Sequence, residues 1–250
     1  MDSANVWLWF GLIGMLVGSF VIFVMTQLLR KEDQHHGYVA LSITLIAATA
    51  YYALATHLGD FSFNGKTVQV ARYADWVITT PLLLLGLLAV GLPTVLKLKN
   101  LNYRLGLILA ILGLDIYMIL TGFLAVLANS NNSYVWYAVS CGAFLAITLL
   151  LFSEVRNLSL HNGGKKVAAL YMRLTYFLTV VWIFYPVVWF LGNDGTSTIS
   201  YTTENALYAI LDVTAKVGFG LLTISGILSL QRDIKPASGE STIDAAASRQ

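Results

Sequence analysis

The segment Leu211-Asp212-Val213-Thr214-Ala215-Lys216-Val217-Gly218-Phe219-Gly220 places a lysine inside a long apolar stretch, 208–230. A charged amine at bilayer depth is costly and marks a functional site by default. The i,i+4 spacing puts Asp212 and Lys216 on one face of a helix, one turn apart. We therefore interpret the pair either as a structural ion pair or as an amine that forms a Schiff base beside its counterion.

The composition is that of an integral membrane protein. Of the 250 residues, 57% are hydrophobic and only 11% are charged, with a formal net charge of +2. The single cysteine, Cys141, excludes a disulfide framework, and the sequence shows no His/Cys ligand cluster, phosphate-binding loop or basic patch. We expect no metal, no nucleic-acid partner and no enzymatic activity, because no soluble domain remains to hold one.

Seven apolar stretches are long enough to cross a bilayer, since each has the ~20 residues that span ~30 Å of hydrocarbon. Lysine and arginine concentrate on one side of them, and only Lys66 lies in a loop on the other. The positive-inside rule then puts the N-terminus outside and the C-terminus in the cytoplasm. The sequence predicts an all-α seven-transmembrane-helix bundle in residues 1–232 and a polar, disordered cytoplasmic tail in 233–250. The stretches are 5–30, 37–58, 70–91, 102–127, 133–156, 167–192 and 200–231.

The third stretch carries two more ionisable residues, Arg72 and Asp75, in a row that continues with Thr79 and Gly86. The eleven residues from Asp75 to Gly86 make about three helical turns, or ~16 Å along one face. Such a row favours a proton or ion path, although Arg72 and Asp75 could simply neutralise each other. Just before it, Asn64-Gly65 between alternating residues signals a β-hairpin.

These motifs resemble microbial (type 1) rhodopsins. Residues 72–85 and 211–220 are similar to that family's third and seventh helices, and Trp182-Ile-Phe-Tyr185-Pro186-Val-Val-Trp189 is similar to its retinal-cage helix. The resemblance covers all seven stretches in order. It implies all-trans retinal bound to Lys216 as a protonated Schiff base, in a multi-pass protein of the cell (inner) membrane that forms a homo-oligomer.

The resemblance also implies roles for the residues around retinal. Asp75 and Asp212 would be the counterions, with Asp75 as the primary proton acceptor and Thr79 hydrogen-bonded to it. Tyr52 resembles the family's second-helix tyrosine near the counterion. The retinal pocket would comprise Trp76, Thr80, Leu83, Asp115, Met118, Gly122, Trp136, Tyr137, Ser140, Cys141, Phe144, Trp182, Tyr185, Pro186 and Trp189.

On the outer side, the resemblance implies a path for proton release. Arg72 would lie outside the counterions as an outward gate, and Asp194 and Glu204 match the family's pair of release acids. A shift of Arg72 would change the proton affinity of these acids, because a nearby charge alters it. The implied function is a light-driven outward proton pump whose partners are protons and the lipid bilayer.

One position departs from the well-known outward pumps, because Gly86 stands where they carry a proton-donating carboxylate. The row Asp75, Thr79 and Gly86 resembles a bacterial subgroup with an Asp-Thr-Gly triplet. His36, and after it His35, are candidate donors because histidine titrates near neutral pH, although both could be solvated loop residues. Slow reprotonation would instead suit a photosensory rhodopsin that signals through a separate transducer protein.

Two pocket residues suggest optical properties by the same resemblance. Leu83 stands where blue-absorbing relatives have a polar residue, which implies green absorption. Tyr137 stands where carotenoid-binding relatives have a small residue, so we expect no carotenoid antenna.

Overall fold

The computed structural model describes residues 3–58, 60–63, 66–93 and 101–234, and the structural statements below refer to these ranges. Positions 64 and 65 of the predicted turn, and 235–250 of the predicted tail, lie outside them. The helices are α1 (Ser3–Thr26), α2 (Gln34–Ala55), α3 (Val70–Gly91), α4 (Leu101–Leu127), α5 (Ser130–Leu150), α6 (Arg156–Leu191), α7 (Tyr201–Val213) and α8 (Phe219–Ile234). Two π-helical turns join α5 to α6 and α7 to α8, at Leu151–Val155 and Thr214–Gly218.

Six helical segments of the described chain are long and apolar enough to cross a membrane. One of them, Asn132–Leu191, has 60 residues and would be about 90 Å long if straight, about three times the hydrocarbon thickness. Gly164 interrupts it with φ 74° and ψ 176°, a backbone conformation that glycine adopts without steric cost. The connection predicted at 157–166 is therefore mostly helical, with its break at this glycine.

The helices form a closed bundle in which chain neighbours pack side by side. α1 packs against α2, α2 against α3, α3 against α4 and α4 against α5, and α1 also packs against α7. Close approach is possible where small residues face a neighbour: a Cβ on Gly18 would lie 2.3 Å from Val217 Cγ2. Large apolar side chains such as Phe20 and Leu109 point outward, as expected of a surface that faces lipid. The fold is an all-α membrane bundle.

A β-hairpin lies between α2 and α3, as the sequence predicts. Strands β1 (Asp60–Phe63) and β2 (Lys66–Gln69) pair antiparallel, with Asp60 opposite Gln69. We call this side of the bundle the hairpin end. Gln69 Nε2 donates a hydrogen bond to the Tyr201 hydroxyl at 2.7 Å, which places the start of α7 at the same end.

The opposite side, where α8 finishes, is the tail end. Here Gln231 Nε2 donates to Asp33 Oδ2 at 2.6 Å, and Arg30 Nη2 donates to the main-chain carbonyl of Gln231 at 3.4 Å. These bonds bring the α1–α2 connection next to the end of α8. Lys216 and its partners lie between the two ends.

Candidate functional site

The centre of the site is Lys216, whose side chain is 1% exposed. Its Nζ donates hydrogen bonds to Asp75 Oδ2 and, at 3.0 Å, to Asp212 Oδ1. The lysine lies in the π-helical turn that joins α7 to α8, a feature that the sequence pattern did not predict. Two buried carboxylates against one amine leave an excess negative charge, so a further cation is needed for balance.

Asp212 is the more fully hydrogen-bonded of the two acids. Its Oδ2 accepts from the Tyr51 hydroxyl at 2.7 Å. Its Oδ1 accepts from Trp76 Nε1 at 3.1 Å and from the Tyr185 hydroxyl at 2.9 Å, in addition to Lys216. Hydrogen bonds to a carboxylate favour its ionised form, so this environment stabilises Asp212 as an anion.

The Asp75 carboxylate accepts fewer hydrogen bonds than that of Asp212. Its Oδ2 faces Lys216, whereas Oδ1 is buried without a hydrogen-bond partner among the described residues. The Thr79 hydroxyl donates to the main-chain carbonyl of Asp75 at 2.8 Å. With fewer hydrogen bonds than Asp212, the Asp75 carboxylate takes up a proton more readily.

The tyrosine of α2 that meets Asp212 is Tyr51, and the expectation for Tyr52 is wrong. Tyr51 is 1% exposed and bonded to Asp212, whereas Tyr52 is 51% exposed on the outer face. Buried α2 residues recur every three or four positions through Ala40, Thr44 and Ala47. That period leads to Tyr51, so the helical pattern could have corrected the assignment.

An apolar cavity adjoins Lys216, and its lining is mostly aromatic and aliphatic with a few polar groups, as is typical of small-molecule sites. Every predicted pocket residue lines it except Asp115 and Trp136. Asp115 instead accepts a hydrogen bond from the Thr80 hydroxyl at 2.7 Å, and Trp136 packs against the cluster around Val68. The lining residues that the sequence did not single out are Tyr73, Ile119, Tyr208 and Ala215.

Aromatic rings give the cavity stiff walls. Tyr137 stacks on Trp189 with ring centroids 4.7 Å apart, and Trp76 meets Tyr185 edge to face at 5.3 Å. Trp182 completes the apolar lining from α6. An elongated apolar molecule with a group that reacts with an amine would be held by such walls, with its reactive end at Lys216.

Arg72 lies toward the hairpin end and is 4% exposed. It donates to Gln69 and Asn205, two amides that the sequence analysis did not select, and its guanidinium lies 4.5 Å from the centroid of the Tyr208 ring. Asn205 could have been found, because it is a polar residue one turn of α7 from Tyr208 and Tyr201.

The two predicted release acids lie on facing segments. Glu204 is buried at the start of α7, and its Oε2 accepts from the main-chain N–H of Asn193 at 2.9 Å. A Cβ on Gly192 would lie 2.6 Å from Glu204 Cδ. The turn that carries half-buried Asp194 thus folds directly over Glu204.

Toward the tail end the surroundings of α3 are apolar. Gly86 is buried, and a Cβ there would contact Phe219 at 3.4 Å and Val39 at 3.8 Å. His36 lies one turn before Val39 on α2, and its Nδ1 is buried without a partner among the described residues. His35 is exposed, with its ring centroid 4.0 Å from that of His36.

Residues 2–230 match the family model of bacteriorhodopsin-like proteins. The chain is a microbial (type 1) rhodopsin of that family. It is 35% identical to a bacteriorhodopsin of Haloterrigena sp. (strain arg-4) over 94% of this chain and 92% of that protein. Among solved structures it resembles the thermophilic rhodopsin of Rubrobacter xylanophilus, with 34% identity, a TM-score of 0.83 and coverage of 90% and 97% of the two chains.

A second structural relative is described as a light-driven proton pump. This is the rhodopsin of Coccomyxa subellipsoidea, which is 33% identical with a TM-score of 0.79, over 90% of this chain and 97% of that one. Membership of the bacteriorhodopsin-like family implies a retinal chromophore. The site fits it, because an aldehyde can condense with the Lys216 amine while an apolar polyene fills the aromatic cavity.

Proposed function

We propose that this rhodopsin is a light-driven outward proton pump with all-trans retinal bound to Lys216 as a protonated Schiff base. The observation that carries the proposal is the buried Lys216 nitrogen between two carboxylates of unequal hydrogen bonding. Bound retinal supplies the absorption of light and a light-driven change in geometry at that nitrogen. The remaining steps belong to the side chains of the protein.

Asp75 is the proposed proton acceptor. Its free Oδ1 can take a proton, whereas the oxygens of Asp212 are occupied by donors from three aromatic side chains. Transfer from the Lys216 nitrogen to Asp75 converts an ion pair into two neutral groups. That reduces the cost of charge in a dry site once the favourable contact between them has been weakened.

Release toward the hairpin end is proposed to follow through Arg72. When Asp75 is neutral, less negative charge attracts Arg72 toward Lys216. A guanidinium nearer Glu204 favours the ionised form of that acid, so Glu204, with Asp194 beside it, gives up a proton. The turn folded over Glu204 places this group close to the outer surface.

The direction of transport depends on topology. We infer that Gly164 divides the 60-residue segment into two crossings, which gives seven spans. Seven crossings put the termini on opposite sides, and the excess of lysine and arginine near the tail end makes that end cytoplasmic. The hairpin end then faces the outside of the cell (inner) membrane.

Reprotonation of the Lys216 nitrogen is proposed to use His36. Gly86 supplies no carboxylate, and we propose on this basis that the chain belongs with the Asp-Thr-Gly subgroup. His36 has a buried, unpartnered ring nitrogen one turn from Val39, which borders Gly86, whereas His35 is more exposed and is the second choice.

The apolar surroundings of Gly86 also favour a second candidate, a photosensory rhodopsin. Phe219 and Val39 occupy the space where a donor would approach, which would prolong the deprotonated state of Lys216. A long-lived state suits signalling through a transducer protein.

Assembly and accessory groups are also proposed. We propose a homo-oligomer without enzymatic activity, metal or carotenoid antenna. The absence of an antenna is supported by Tyr137, which stacks on Trp189 and donates to the Pro186 carbonyl at 3.1 Å, so that it closes the cavity wall there.

The test of the pump is the light-induced pH change in a suspension of cells that express the protein and receive retinal. We expect acidification on illumination that a protonophore abolishes. A coloured protein that completes its light cycle without any pH change would contradict the pump and favour the sensor.

A further inference from the structure

The described hydrogen bonds of Arg72 end on neutral amides. Nη2 donates to Gln69 Oε1 and to Asn205 Oδ1, each at 2.8 Å, and Nε donates to Gln69 Oε1 at 3.3 Å. Neutral acceptors hold a guanidinium without cancelling its charge. The effect of Arg72 on neighbouring acids therefore depends on where these amides keep it.

Tyr201 fixes the direction in which both amides point. Gln69 Nε2 donates to the Tyr201 hydroxyl at 2.7 Å and to Asn205 Oδ1 at 3.2 Å. Asn205 Nδ2 donates to the main-chain carbonyl of Tyr201 at 2.9 Å. Because the nitrogens are engaged in this way, both amide oxygens are presented to Arg72. We call Gln69, Asn205 and Tyr201 the amide clamp.

The amide clamp joins the β-hairpin to α7 at the hairpin end of the bundle. Gln69 is the last residue of β2, paired with Asp60, and Asp60 Oδ2 bonds to His57 Nδ1 at 2.8 Å. Asn205 and Tyr201 belong to the first two turns of α7. The hairpin thus sets the position of one half of the clamp, and α7 sets the other.

Arg72 has unused hydrogen-bonding capacity. Its Nη1 is buried without a partner among the described residues, and so is Asp75 Oδ1, one helical turn further along α3. Weaker clamping would allow the guanidinium to approach this carboxylate, because an unpaired donor and an unpaired acceptor gain from meeting in a dry site.

We propose that the amide clamp sets the resting position of Arg72 and thereby sets how readily Asp75 takes up a proton. Gln69, Asn205 and Tyr201 are positioning residues, since they act through Arg72. The inference deepens the proposed function, and its consequences for transport rest on that function.

The experiment is an acid titration of the visible absorption of the purified, retinal-loaded protein. Protonation of Asp75 removes a counterion and shifts absorption to the red. In Asn205→Leu, Arg72 loses one hydrogen bond and Gln69 loses one of its two anchors, so the guanidinium is held less firmly and can approach Asp75. We expect the midpoint of this colour change to fall by about 1 pH unit, since a cation within ~4–6 Å stabilises a carboxylate by ~1–3 units.

The variant Asn205→Asp should act in the opposite direction. A carboxylate in place of the amide holds Arg72 more firmly at the hairpin end and adds negative charge, so the midpoint should rise by about 1 pH unit. The matched control is Gln231→Leu, which removes an amide that bonds Asp33 at the tail end and should leave the midpoint unchanged.

Equal midpoints in wild type and both Asn205 variants, or shifts in the same direction, would overturn the role of the clamp. If Asn205→Leu yields no pigment, the nearly isosteric Asn205→Asp decides the question alone. The titration needs no transport. A wild-type protein that does not pump would therefore overturn the proposed function while the titration still decides the clamp.

Discussion

The two halves of the bundle on either side of Lys216 differ in what fills them. Toward the hairpin end, Asp75, Arg72, Asn205 and Glu204 line up as buried polar side chains. Toward the tail end, beyond Thr79, Gly86 of α3 meets Phe219 and Val39, and the neighbouring Leu84 and Leu87 are fully buried. In the proposed pump, the released proton leaves through polar side chains that are already in place, whereas its replacement must cross this apolar layer.

This difference shows how a direction of transport can be built into a static bundle. The polar half offers acceptors of graded proton affinity, and the apolar half resists proton return along the same axis, because an ion in an apolar layer is costly. The two halves share the centre at Lys216, and each can be altered separately.

The largest effect is expected at that centre, from Lys216→Ala. Without the amine, retinal cannot attach, so we expect complete loss of visible absorption after retinal is added to membranes that contain the protein. Absorption spectroscopy checks this, and the matched control is Lys165→Ala, which removes an exposed lysine. A variant Lys216→Ala that still bound retinal covalently would place the attachment elsewhere.

In the polar half, Asp75→Asn should abolish light-driven transport and shift absorption to the red. The amide can neither take up the proton nor balance the charge at Lys216. Cell-suspension pH recordings and visible spectra measure the two effects, with Asp33→Asn at the tail end as the control. Transport at the wild-type rate in Asp75→Asn would falsify its role as acceptor.

In the apolar half, Gly86→Asp should speed the recovery of visible absorption after a flash by about tenfold or more, because a positioned proton donor contributes ~10²–10⁴-fold in such steps. The Cβ fits in ordinary contact with Phe219. Flash photolysis measures the recovery, and Gly86→Asn, of equal size but without an acidic proton, is the matched control. Equal acceleration by both variants would show that opening of the layer, not a donor, limits the rate.

The same recovery measurement tests the proposed native donor. We expect His36→Ala to slow recovery several-fold, and azide to restore it by carrying protons in place of the imidazole. His35→Ala should have the smaller effect, because that ring is exposed. Unchanged recovery in His36→Ala would show that His36 is not the donor and would favour its interpretation as a solvated loop residue.

The smallest effect compares two adjacent tyrosines of α2. Tyr51→Phe removes the hydrogen bond to Asp212 and should lower the free energy of unfolding by about 1.5–3 kcal/mol, the range for bonds to charged groups. Tyr52→Phe, on the exposed face, should stay within about 0.5 kcal/mol. Denaturation in sodium dodecyl sulfate measures both, and a larger loss in Tyr52→Phe would contradict the assignment.

Much of this architecture follows from local sequence patterns. Apolar length predicts the long helices, and the bounds of α3 agree with the expected 70–91. The hairpin follows from Asn64-Gly65 between alternating residues, and the i,i+4 spacing of Asp212 and Lys216 predicts that they meet. Each of these features depends on residues that are close in the chain.

The features that the sequence did not reveal depend on contacts between distant residues. The period of α2 could have identified Tyr51, but the bonding of Arg72 depends on Gln69 and Asn205, which are 136 positions apart. The position of Trp136 could not be predicted for the same reason. It packs against the cluster around Val68 and does not line the cavity.

The central claim is that the proton of the Lys216 nitrogen passes to Asp75, and time-resolved infrared difference spectroscopy tests it most directly. We predict that the C=O stretch of a newly protonated carboxylic acid appears at the rate at which visible absorption is lost, and is absent in Asp75→Asn. If the same band persists in Asp75→Asn, or appears on a different time scale in the wild type, another group accepts the proton and the account is wrong.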